Sequence, residues 1–168
     1  SPCNVKGTGL KLKNLLDEGD IFIDQLNVDF NRVAIHRDKT YPLHPSQRPK
    51  MPQQALRDLK QKLEIKKAYI NFNHFKYTEL EPQASDTSYV FFTEGTANIS
   101  NITNINQLLL KNPLMHSTID AKLMGIGPTN IKIDWNVYSF NNEFTFEGKV
   151  EQMPLSLLNP ITEPGLKM

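Results

Sequence analysis

One stretch of this chain occurs twice, forty-two positions apart. The first copy, IDQLNVDFNRVAI, runs from Ile23 to Ile35, and the second, IKKAYINFNHFKY, from Ile65 to Tyr77. Ile23 matches Ile65, Phe30 matches Phe72 and Asn31 matches Asn73, while Val28 answers Ile70, Val33 answers Phe75 and Ile35 answers Tyr77. In both copies the apolar residues advance by steps of three, two, two, three and two. A step of two keeps side chains on one face of a strand. A step of three changes parity, so each copy is expected to carry a bulge or kink near Gln25 and Asn31, and near Lys67 and Asn73. A fainter third copy runs from Phe92 through Gly95, Ala97, Ile99 and Ile102 to Asn104. Duplication of a kinked strand predicts a sheet that grows by repetition, not a pocket built once.

At 168 residues the chain suits one domain with a core of its own. Its net charge of +1 and scattered lysines leave no basic footprint for nucleic acid. Cys3 is the only cysteine, so no intrachain disulfide is possible. No apolar run approaches the roughly 20 residues that span a bilayer, and no signal peptide is visible. The first residue is not Met, and the last follow a turn-like Glu163-Pro164-Gly165. The expectation is therefore a single domain over residues 1–168, a fragment of a longer repeat protein with repeat strands about 21–37 and 65–81.

The rest of the chain reads mostly as strand. Leu10 to Leu16 is either a strand end or a turn of helix. Tyr41 to Pro49 holds three prolines and reads as a loop, with Pro52 a good first helical residue. Met51, Ala55, Leu56, Leu59 and Leu63 share one stripe at helical spacing, which predicts an amphipathic helix over 52–63 covering the repeat strands. Ser88–Thr103, His116–Leu123, Asn130–Tyr138 and Glu143–Glu151 alternate with period two and read as strands. Asn141-Asn142 suits a tight hairpin turn, and Leu155, Leu157 and Leu158 suit one short helical turn. The fold class is mainly β (α+β): a curved, largely antiparallel sheet with repeated kinked strands, one amphipathic helix and a short C-terminal helical turn.

Three segments resemble a known family. The run LLDEGDIFIDQLNVDFNRVAIHRDK is similar to the early repeat of AsmA-like proteins, where a short "LL" segment precedes a strand. PQQALRDLKQKLEIKKAYINFNHFKYTE resembles the helix-then-strand unit of that superfamily in Bacteroidetes-type chains, and FEGKVEQMPLSLLNPITEPGLKM resembles a closing segment that leads into a further repeat. The resemblance implies a periplasmic protein with a long β-groove, whose parent is anchored in the inner membrane. It further implies a part in outer-membrane maintenance and in handling phospholipid along that groove.

The apolar face argues in the same direction. A sheet with one apolar face must cover it with a helix, another sheet, a partner or a lipid chain. A helix about 10 Å wide covers about three strands spaced by roughly 4.8 Å. Ile133, Trp135, Phe144, Phe146, Phe72 and Phe30 are the candidates to face lipid or an adjoining repeat; ordinary core is the competing reading of each. The other constellations read as structure. His36, His44, His74 and His116 lack the spacing of a zinc site, and His36 and His74 read as surface histidines. Gly125-Ile126-Gly127 reads as a turn, Asp17, Glu18 and Asp20 as a solvated turn, and the sequons at Asn98 and Asn101 as strand residues. Glu79 and Glu81 share a strand face without a calcium loop, and Cys3 has no activating neighbour. No catalytic residue, metal or cofactor follows, and the expectation is not an enzyme. Two function classes remain: a lipid-handling segment whose partners are phospholipid or acyl chains and adjoining repeats, or a non-catalytic β-rich scaffold whose edges pair with other strands.

Overall fold

The offset between the two copies is also the register of the sheet. The structure, a computed structural model, describes residues 3–41, 49–82 and 86–166. The first copy lies in β2 (Ile21–Asp38) and the second in β3 (Leu63–Leu80), and the two pair as parallel neighbours. Each paired residue of β2 stands beside its own equivalent: Ile23 by Ile65, Val28 by Ile70, Phe30 by Phe72, Ile35 by Tyr77. Parallel neighbours need a connection that returns the chain to the same end. Here the returning segment, 39–62, holds α2 (Pro52–Arg57). His44 and the proline-rich loop over 42–48 lie outside the described residues.

β1 (Cys3–Thr8), β4 (Ser88–Thr103), β5 (Leu114–Leu123), β6 (Gly127–Asn136) and β7 (Phe144–Val150) complete a seven-stranded mixed sheet in chain order. Five of the six pairings are antiparallel, and the parallel one joins the two repeats. The sequence pattern did not reveal β1, because CNVKGT carries only one large apolar residue, Val5.

Partners across a sheet share a face, so the register sorts the residues into two faces. One unbroken row reads Val5–Val28–Ile70–Ala97–Ile119–Ile131–Gly148, and another reads Gly7–Leu26–Ala68–Ile99–Ser117–Ile133–Phe146. The row between them, on the opposite face, is Lys6–Asn27–Tyr69–Asn98–Thr118–Lys132–Glu147. The sheet is apolar on one side and polar on the other.

The steps of three coincide with gaps in the ladders. β2 and β3 have no pair at Asp24–Lys66 or Asn31–Asn73, and β3 and β4 have none at Lys66–Asn101 or Asn73–Glu94. Asn101 and Glu94 have positive φ, 58° and 50°. One skipped residue restores parity, so the apolar residues on both sides of each gap stay on one face. A rhythm of three, two, two, three reads the same in both directions, which lets antiparallel β4 match it. Ile102, Ile99, Ala97, Gly95 and Phe92 meet Ile65, Ala68, Ile70, Phe72 and Phe75.

Several expectations need correction. The helix expected over 52–63 ends at Arg57, half its anticipated length, and Leu59 is 44% exposed. The chain must be extended by Leu63 to pair with Ile21, so the residues after Asp58 unwind. α2 also lies away from the early strands' middle. Its Leu56 joins Leu109, Met115 and Val137 in a small core, flanked by Leu63, Ile99, Ile102 and Trp135. Arg57 donates to the carbonyls of Val137 (3.2 Å) and Ser139 (2.5 Å) and to Asn142 Oδ1 (2.5 Å). The buried Gln53 donates to the carbonyl of Asn142 at 2.9 Å. Asn141-Asn142 is therefore no tight hairpin turn. It belongs to a longer β6–β7 connection that holds α2, and these distant acceptors left no mark on the helical stripe.

The ambiguous segment Leu10–Leu16 is largely helical, α1 (Leu12–Glu18), ended by Gly19 in the left-handed region. A single turn, α3 (Asn106–Leu109), escaped the sequence reading and supplies Leu109 to the core. The C-terminal turn is longer than expected: a 3-10 segment, Leu155–Leu158, runs into α4 (Asn159–Leu166), which lies against β4.

Asp20 is no solvated turn residue, being 5% exposed. Its Oδ1 accepts the backbone amide of Lys62 at 2.8 Å and its Oδ2 the Lys62 ammonium at 3.1 Å. With the amide of Ile21 on the carbonyl of Lys62 (2.8 Å), this contact aligns the starts of β2 and β3. The Lys62 amide, then its ammonium, hold the Asp20 carboxyl below its ordinary value despite burial. A depressed folded value means that Asp20 stabilises the fold above the ordinary carboxylate range and loses that contribution as pH falls through the folded value. Asp20→Asn should therefore lower urea-unfolding stability at neutral pH, with the difference from wild type shrinking below about pH 4. A difference that does not depend on pH would contradict this role.

A second test concerns register. Phe30 and Phe72 stack at 5.8 Å, and Phe72 leans over Gly95, where an added Cβ would overlap its ring. Gly95→Ala should destabilise by about 1–2 kcal/mol. The cost should largely vanish in a Phe72→Ala background, a coupling that a double-mutant cycle of unfolding free energies measures.

Candidate functional site

The six candidate residues all stand on the apolar face but form two groups. Phe30 and Phe72 lie on β2 and β3, with Phe75 set edge-on to Phe72 at 6.3 Å. Ile133 and Trp135 lie on β6 opposite Phe146 and Phe144 of β7. Trp135 and Phe144 have ring centres 5.4 Å apart. β4 and β5 separate the groups, so roughly 14 Å divides β3 from β6 at the usual strand spacing.

What lies between them is small. Gly95 and Ala97 of β4 and Ser117 and Ala121 of β5 fall on the apolar face, interspersed with Ile99 and Ile119. The result is a low floor between two aromatic banks. Sequence reasoning placed Gly95, Ala97 and Ile99 in the third repeat copy but did not group them with Ser117 and Ala121, because which strands are neighbours is not written in local spacing. The alternation of small residues with Ile99 and Ile119 in two adjacent strands was the available clue.

The helical segments sit toward opposite ends of this face. α2 closes one end on Met115 and Trp135. Trp135 packs against that core, and its Nε1 donates to Ser117 Oγ at 3.1 Å. The helix expected to cover the repeat strands thus packs by Trp135 instead. At the other end Met153 packs where a side chain at Gly127 would stand, and Leu155 and Leu158 lie by Leu123 and Val150. Phe144 and Phe146 remain 48% and 61% exposed, with the Phe146 ring lying along Gly148. Ile133, Phe30 and Phe72 are half-buried.

The polar face carries paired side chains. Asn71 donates to Asp29 at 2.6 Å, Asn73 to Asn31 at 2.9 Å and Asn130 to Asp120 at 2.7 Å. A recess of about 440 Å³ opens at the Asn31–Asn73 gap. Its lining combines Asp29, Asn31, Asn71, Asn73 and Glu94 with Phe30, Phe72 and Gly95. Ser100, His116 and Asp134 share one row, the residue types of a hydrolase triad, with His116 Nδ1 at 2.7 Å from Asp134 Oδ1. Among the described residues no hydrogen bond joins Ser100 to His116, however, and the three side chains lie on adjacent strands of the polar face. This row is a cross-strand ladder on an open face.

Glu79 and Glu81 are not a free carboxylate pair, since both clamp the Lys39 ammonium. Lys39, then the Tyr77 hydroxyl, lower the Glu79 carboxyl, and the two glutamates raise Lys39. His36 is exposed as expected, whereas His74 is half-buried and stacks on Phe91 at 5.4 Å. Cys3 is exposed on β1. Among the described residues no cluster of three or more His, Cys, Asp or Glu side chains could hold a metal ion, and no helix is long and apolar enough to cross a membrane. Comparison of the chain with family models, with curated proteins and with solved structures finds no match.

Proposed function

We propose that the apolar face carries acyl chains along the trough between the aromatic banks, without catalysis. One observation carries the reading: seven strands present an apolar face for which the described residues supply only short helical cover, α2 near Trp135 and α4 against β4. Ordinary core would require a cover that the short helices at the two ends do not provide. In this reading the sheet curves, its repeated gaps at Asp24, Lys66 and Asn101 and at Asn31, Asn73 and Glu94 acting as kinks.

The same proposal makes the chain a segment of an AsmA-like envelope protein, periplasmic, with a parent anchored in the inner membrane and a part in outer-membrane maintenance. What supports it is the in-register repeat, which lets such a sheet lengthen, and the one-sided apolar face.

A fluorescent phospholipid or fatty acid titrated into the protein tests the trough. Phe146→Glu should weaken binding, while its melting temperature shifts little, since exposed changes cost about 0.5 kcal/mol or less. Thr145→Glu, one residue away on the polar face, should leave binding unchanged. Absence of binding by the wild type, or equal losses in both variants, would remove the acyl-chain reading.

A further inference from the structure

Among the described residues β7 pairs only with β6, and every residue of β7 is exposed. Its outer edge is a row of free backbone groups, and the hydrogen bonds at its ends show which. The amide of Asn136 donates to the carbonyl of Glu143 at 2.9 Å, and the amide of Glu151 donates to that of Pro128 at 2.8 Å. Odd-numbered residues therefore turn their backbone groups toward β6. Alternation then points those of Phe144, Phe146, Gly148 and Val150 outward.

We propose that this edge pairs with the same edge of a second copy of the chain, antiparallel about a two-fold axis at Gly148. The axis stands perpendicular to the sheet, so the two apolar faces continue into each other. Gly148 then faces Gly148, Phe146 faces Val150 and Glu147 faces Lys149, the last two pairs each occurring twice. All outward backbone groups from Phe146 to Val150 acquire partners, because even residues meet even residues.

The side chains select this partner and register. Edge strands commonly resist pairing by carrying charges of one sign. The charges of β7 instead alternate, Glu147 then Lys149, and are complementary to their own reversal. Moving the axis by one residue to Glu147 sets Glu147 against itself, and opposed like charges destabilise a strand pair. On the apolar side, Phe146 and Val150, 61% and 48% exposed, would cover each other. A head-to-tail joint between β7 and β1 would leave further edges open and grow without limit, whereas the two-fold joint closes. One short strand pair is a small interface, so the dimer is reversible and depends on concentration. The inference concerns the edge alone and does not rest on the acyl-chain reading.

Sedimentation velocity over a concentration series tests it with paired charge reversals. Wild type should pass from monomer to dimer and no further. Lys149→Glu and Glu147→Lys should each shift dimerisation to about tenfold higher concentration, since both cross-axis pairs become repulsive. Mixed in equal amounts, the two variants should recover wild-type dimerisation, because one then carries two acidic side chains at these positions and the other two basic ones, and both cross-axis pairs again join opposite charges. A second measurement covers the case in which Glu147→Lys, beside Lys132, does not fold. In a Cys3→Ser background, Phe146→Cys and Val150→Cys should form a disulfide on oxidation when mixed and not when alone, as directly bonded pairs have Cα atoms about 5.5 Å apart. A wild type that stays monomeric at its solubility limit, species that grow beyond dimer, or charge reversals without effect would each overturn the proposal.

Discussion

The parallel pairing of two near-copies, each residue beside its own equivalent, is the constraint on which the rest of this structure depends. Because the register equals the repeat, apolar residues meet apolar residues along the whole of β2 and β3 without further selection. The same coincidence stacks Phe30 on Phe72, joins Asn31 to Asn73 and Asp29 to Asn71, and seats Lys62 on Asp20. Ladder gaps also coincide, so neither strand loses its face relative to the other. A slip by one residue would turn one strand over and set its polar side into the apolar face.

From this pair the sheet extends antiparallel on both sides, and its stability has an unusual distribution. One cluster of buried residues lies at one end, where α2, α3 and the β6–β7 connection meet around Leu56, Leu109, Met115 and Val137, and Ala68, Ala97, Ala121 and Met124 are buried outside it. Elsewhere the strands are held by their ladders, by aromatic contacts and by cross-strand polar pairs. Gly95 illustrates the economy of space: the missing side chain in β4 is where the Phe72 ring of β3 rests. Small residues in β4 and β5 lower the centre of the apolar face, and aromatic residues raise its sides.

The strands and the candidate residues were legible to different degrees. Period-two alternation placed β4 to β7 within a few residues, because half-buried strands advertise themselves by alternation. Phe30, Phe72, Ile133, Trp135, Phe144 and Phe146 were all assigned to an apolar face, which the register supports. Their grouping was not legible, since it depends on how many strands intervene. β1 escaped because five of its six residues are small or polar. α2 was overextended because Leu59 and Leu63 continue the helical stripe, yet Leu63 is required by Ile21 in the sheet. Strand pairing is a long-range demand that local spacing does not contain.

By itself the sequence determined that this chain would form strands, that one face would be apolar, and that two of the strands would be equivalent with irregularities at matching positions. Those properties follow from side-chain spacing within single strands. Only the tertiary structure decided that the equivalent strands are parallel neighbours, that α2 serves Trp135 and Val137 instead of the repeat, and that β1 and β7 are the outer strands among the described residues. Each of these depends on which backbone hydrogen bonds form between segments far apart in the chain. The choice turned on contacts such as Asp20 with Lys62 and Arg57 with Ser139 and Asn142, which join residues dozens of positions apart.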